Sequence, residues 1–66
     1  MRLHYDEQSD ALYLRLDDSL IEESEEVQSG IILDFNAAGQ VVGVEILGLK
    51  ERVPQANLKQ IHFEFA

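Results

Sequence analysis

The chain has 66 residues, with five Lys or Arg against thirteen Asp or Glu, no cysteine and a formal net charge of −8 at pH 7. That length allows one domain, residues 1–66, which buries only roughly 60% of the surface its unfolded form exposes. The absent cysteine excludes disulfides and thiolate zinc sites, and the acidity opposes nucleic-acid phosphates and anionic lipid; it favours a basic protein partner or, as the simpler reading, only keeps a small protein soluble.

Residues 2–6 alternate, with Leu3 and Tyr5 on one face and Arg2, His4 and Asp6 on the other. Residues 11–16 repeat the pattern, with Leu12, Leu14 and Leu16 opposed to Ala11, Tyr13 and Arg15. The polar stretch Asp6-Glu7-Gln8-Ser9-Asp10 between them suits a loop, so the period of two predicts strand, loop, strand. The N-terminus turns acidic at once and lacks the apolar stretch of a signal peptide, and no apolar run approaches the ~20 residues needed to span a bilayer. A cytoplasmic protein without membrane association is expected.

Residues 17–27 support two readings. Leu20, Ile21, Ser24 and Val27 share a helical face, and Ser19 with Glu22 resembles a capping box. The preferred alternative is an exposed strand from Glu23 to Val27 ending at a Gly30 turn, because an edge loaded with charge resists aggregation.

Residues 31–47, IILDFNAAGQVVGVEIL, read as a β-hairpin with its turn at Asn36-Ala37-Ala38-Gly39. Ile31, Leu33 and Phe35 face one way, as do Val42, Val44 and Ile46; Val41, Gly43, Glu45 and Leu47 form the other row. Apolar side chains on both faces call for cover on both sides. Gly48 ends the strand, Leu49 to Arg52 can form one helical turn, and Pro54 suits the first position of a short helix reaching Leu58 or Lys59. Ile61, Phe63 and Phe65 then alternate with His62 and Glu64 as a last strand. The expected fold is α+β, mainly β: an antiparallel sheet of five or six strands built on hairpins, with one short helix between Pro54 and Lys59. The expected core is Leu12, Leu14, Leu33, Phe35, Val44 and Ile46.

No catalytic motif stands out. Asp34, Asn36, Gly39 and Glu45 fall at spacings of a calcium loop, but Ala38 occupies a ligand position and the flanks are strand-like, so a hairpin turn is the preferred reading. His4 and His62 could meet beside Asp6 or Glu64 if their strands paired, although no short ligand spacing supports zinc. The acids of residues 17–26 read as a solvated face. No serine has a nucleophile-elbow context, and the four glycines are too dispersed for a phosphate loop. Neither a cofactor nor an enzymatic activity is expected.

Tyr5-Asp6, Asp10-Ala11-Leu12-Tyr13-Leu14, Glu26-Val27, Ile31-Ile32-Leu33-Asp34-Phe35 and Gly39-Gln40-Val41-Val42-Gly43-Val44-Glu45-Ile46-Leu47, in that order and spacing, resemble domain-of-unknown-function family 2283, a group of short prokaryotic proteins. The resemblance covers about residues 3–50 and departs from the usual Asp at Asn36. It implies a small β-rich fold and no catalytic residues to carry over. It also favours a protein-binding role of the kind found beside toxin–antitoxin-like gene pairs.

Together these features point to a non-enzymatic homo-oligomeric interaction module, a dimer first of all, antitoxin-like in binding a basic protein. The alternative is a small metal- or ligand-binding domain. The expected oligomer interface is Val41, Leu47, Ile61, Phe63 and Phe65.

Overall fold

The computed structural model describes residues 1–66. Five strands, β1 (Arg2–Asp6), β2 (Ala11–Arg15), β3 (Glu23–Gln28), β4 (Ile31–Phe35) and β5 (Val41–Leu47), precede a single helical turn, α1 (Leu49–Arg52). The strands form one antiparallel sheet in the order β1-β2-β5-β4-β3. The mainly-β α+β class is therefore as the alternation predicts, and residues 23–28 form the charged edge strand rather than a helix.

Local chemistry sets the turns. Asn36 Oδ1 accepts the backbone N–H groups of Ala38 and Gln40, both at 3.0 Å, and Gly39 supplies a φ of 77° that closes the reversal. Asp6 Oδ1 accepts the Gln8 N–H at 3.0 Å in the β1–β2 loop, which ends at Asp10 with a φ of 52°. Asp and Asn tolerate this left-handed conformation better than other side-chain-bearing residues do.

Residues directly opposite in a sheet share a face. The register aligns Leu3, Leu14, Val44 and Leu33 across four strands, and Tyr5, Leu12, Ile46 and Ile31 beside them. The same register gathers Arg2, His4, Tyr13, Arg15, Gly43, Glu45 and Asp34 on the other side. The sheet thus has an apolar face and a mostly polar one.

Three expectations need correction. The helical turn expected at Leu49–Arg52 forms, but the helix expected between Pro54 and Lys59 does not, and the chain makes turns there. The N-terminus of α1 is held by a residue 40 positions away: Asp10 accepts the Leu49 N–H on its carbonyl at 3.1 Å and the Lys50 N–H on its carboxylate at 3.0 and 3.1 Å. Residues 61–65 form no strand, and the backbone bonds of the tail stay within it, Ala56 N–H to Val53 O and Gln60 N–H to Asn57 O. The tail runs instead past the apolar side chains of β1 and β2, with Ile61 and Phe63 lining one cavity with Met1, Leu3 and Leu14.

The third correction concerns the core. Leu12, Leu14, Leu33, Phe35, Val44 and Ile46 do share the apolar face, but each is only half-buried. The buried residues are Ala11, Asp34, Val42, Gly43 and Leu49. A single sheet layer with one helical turn and a loose tail has too little chain to lay over its apolar face. No helix is long and apolar enough to cross a membrane.

Candidate functional site

The apolar face of the sheet is only partly covered. Fully burying a Val, Leu, Ile or Phe side chain stabilises by roughly 1.5–3 kcal/mol, so each half-covered residue here leaves on the order of 1 kcal/mol unrealised. Leu3 is 42% exposed and Leu16 36%, and both extend the face outward. The tail adds little cover, since Ile61, Phe63 and Phe65 are themselves 66%, 70% and 89% exposed. Whole-molecule dimensions agree. A compact monomer of 7.5 kDa exposes roughly 4,200 Å², whereas this chain exposes 5293 Å². Its radius of gyration is 12.8 Å, against about 11 Å for a compact domain of this length.

The polar face carries a closed hydrogen-bond network. Tyr13 Oη donates to Asp34 Oδ2 at 2.7 Å, and Ser24 Oγ donates to Asp34 Oδ1 at 2.6 Å. Tyr13 and Asp34 belong to β2 and β4, with β5 running between them, and they meet over Gly43 because that residue has no side chain. A Cβ there would lie 2.5 Å from Tyr13 Oη and 2.7 Å from Asp34 Oδ2. Arg15 Nη1 reaches Tyr13 Oη at 3.5 Å, while its other nitrogens bond the carbonyls of Asp17 and Ser19. Burial, and then the bond to Asp34, push the Tyr13 phenol above its ordinary pKa. The network ties β2, β3 and β4 together across β5, with one hydrogen bond to each Asp34 oxygen.

A second polar centre ties the loops to the sheet. Tyr5 Oη donates to Asp10 Oδ1 at 2.5 Å, and that hydrogen bond is the main reason the phenol is pushed up to about 12. Asp10 thereby joins β1, the β1–β2 loop and α1. Arg52 completes the clamp, donating from Nε to Leu47 O at 2.9 Å and from Nη2 to Ser29 O at 2.5 Å. Its guanidinium fills the space over Gly30, whose φ of 79° belongs to the β3–β4 turn.

The residues expected to form the oligomer interface do not lie on one surface. Leu47 stands opposite Ala11 on the polar face, and Val41 sits at the register shift opposite Phe35. Ile61, Phe63 and Phe65 occupy the tail, with the two phenylalanine rings edge to face at 5.0 Å. Val41 and Leu47 are 36% and 37% exposed. Of the groups weighed as metal ligands, Asp34 is held by Tyr13 and Ser24, Asn36 by its own turn, and His62 Nε2 by Gln60 at 3.1 Å. His4 lies in β1, across the sheet register from Tyr13. Nowhere do three or more His, Asp or Glu side chains converge as an ion would require.

The sequence reading missed Asp10, Arg52 and the Asp34–Tyr13–Ser24 network. One signal was present: Asp34 interrupts an apolar run in line with a glycine, a combination that becomes meaningful only once strand order is known.

A family model described as "Protein of unknown function (DUF2283)" covers residues 2–50, which span all five strands and stop just inside α1. Neither the curated proteins nor the solved structures give a match.

Proposed function

We propose that this chain, which belongs to the DUF2283 family, is a non-enzymatic protein-interaction module that works by self-association through its apolar face. The observation that carries the reading is the half-covered row of Leu14, Val44 and Leu33, flanked by Leu12, Ile46 and Ile31. The surface exceeds that of a compact monomer by on the order of 1,000 Å², comparable with the roughly 800 Å² per partner that a standard interface buries. A two-fold pairing of identical faces is the commonest way to cover such a surface.

The acidic balance supports a further role for the assembled module. Glu22, Glu23, Glu25 and Glu26 lie along an exposed edge of the sheet, where a net charge of −8 would steer a basic protein toward it. An antitoxin-like pairing with a small basic protein fits this arrangement.

Light scattering at micromolar concentration should give at least twice the chain mass of 7.5 kDa. Leu16→Lys, at a position 36% exposed on the apolar face, should lower that mass while the circular dichroism spectrum remains that of a sheet. A folded monomer at every accessible concentration would remove the reading.

A further inference from the structure

The two edges of the sheet differ in a way that bears on how copies of this chain meet. At one edge lies β3, where an antiparallel, face-matched pairing of β3 with itself centred on Ser24, Glu25 or Glu26 sets glutamates of the two copies opposite each other. Like charges directly opposed destabilise a strand pair, so this edge guards itself. The other edge is β1, Arg2-Leu3-His4-Tyr5-Asp6. Its residues make no backbone hydrogen bond outside the ladder to β2. No proline, bulge or run of like charge blocks its outer side.

The β1 sequence is complementary to itself in one register. Antiparallel pairing about a two-fold axis at His4 sets Arg2 opposite Asp6 of the second copy, and Asp6 opposite its Arg2. The same register sets Leu3 against Tyr5, so apolar meets apolar on one face while opposite charges meet on the other. Within one chain Arg2 is poorly matched. It stands opposite Arg15 in the sheet, and its only anion is Asp18 at 3.3 Å, with the two side chains 73% and 90% exposed. Such an exposed pair contributes little, so exchanging Asp18 for Asp6 of a neighbour costs little.

We propose that two copies of this chain join through their β1 edges, antiparallel about His4, to make a continuous ten-stranded sheet. The join extends the apolar face across both copies and leaves the acidic β3 edges at the two ends. It is separate from the stacking of apolar faces, which can occur with or without it.

Charge exchange tests the pairing. Arg2→Asp alone sets carboxylate against carboxylate at both ends of the seam, and Asp6→Arg alone sets guanidinium against guanidinium. Each should halve the mass measured by light scattering at low micromolar concentration. A 1:1 mixture of the two variants restores opposite charges at both ends and should recover the parent mass. Asp6→Arg also removes the acceptor for the Gln8 N–H, so its fold is checked by circular dichroism. If it does not fold, Arg2→Asp must still halve the mass by itself. Unchanged mass in Arg2→Asp, or no recovery in a mixture of two folded variants, overturns the proposal. A rise in mass for Asp6→Arg would instead indicate β1 adding to the acidic β3 edge of the next copy, and would overturn it too. Loss of mass with Leu16→Lys but not with Arg2→Asp would leave the module reading standing and this one refuted.

Discussion

Gly43 shows how much one missing side chain can organise. It sits in β5, between the strands that carry Tyr13 and Asp34, and the phenol and carboxylate bond to each other across the gap it leaves. A methyl group at that position collides with both oxygens. Gly43→Ala should therefore destabilise the fold by roughly 1–3 kcal/mol, the usual cost of overfilling a packed site, despite alanine's better fit to a strand. Urea unfolding of the two proteins measures the difference. Equal midpoints would show that Tyr13 and Asp34 do not meet over this residue. A glycine inside a strand already marks Gly43 as a place of close approach or a bulge, but residues 31–47 alone do not say what approaches it. An aspartate in an apolar run reads as a solvent-facing position, and its burial becomes intelligible only when β2 and β3 bring a tyrosine and a serine to it.

At the scale of elements, alternation predicted side-chain direction well and backbone pairing less well. The rows Leu12-Leu14-Leu16, Ile31-Leu33-Phe35 and Val42-Val44-Ile46 were readable because period two is a local property of the chain. Residues 61–65 alternate just as cleanly, yet they form no strand, since alternation does not supply a neighbouring strand with free hydrogen-bonding groups in the right place. The helix expected from Pro54 to Lys59 is absent for a related reason. Pro54 is a good first residue, but Leu58 is the only large apolar side chain from Gln55 to Gln60, so a helix there would have no face to bury. The turn at Leu49–Arg52 forms because Asp10 receives its leading N–H groups. Tyr5 joins the same carboxylate, and this makes the junction sensitive to alkali. The phenol, pushed up to about 12 in the folded chain, ionises near its ordinary value of about 10 when unfolded. The stability it contributes is therefore fully present below about pH 10 and is lost as pH rises toward its folded value. Tyr5→Phe should flatten that alkaline fall in a series of melts across the window. An identical fall in both proteins would show that other groups cause it.

The whole molecule is a sheet with more surface than its mass requires. Length and composition made a thin core legible, but not which side was thin. That depended on the tail, whose aromatic residues remain largely exposed instead of closing over β4 and β5. If assembly supplies the missing cover, folding and association are linked, and the melting temperature must depend on concentration. For a dimer of this size a tenfold increase in concentration should raise it by about 5 °C. Scanning calorimetry over two decades of concentration measures the effect, and melting independent of concentration would mean that the isolated sheet is the folded unit.

The strand order also divides the chain in a way that concerns folding. Three of the four strand pairings, β1–β2, β3–β4 and β4–β5, join neighbours in sequence and can close early as short loops. Only the β2–β5 seam joins distant residues, from Arg15 with Gly43, 28 positions apart, to Ala11 with Leu47, 36 apart. A two-stranded piece and a three-stranded piece can each begin to form independently, and cooperativity waits on the seam between them. Tyr13 reaches across that seam to Asp34, and Asp10 reaches across it to Lys50. These two contacts therefore fasten the two-stranded piece to the three-stranded one in the folded chain.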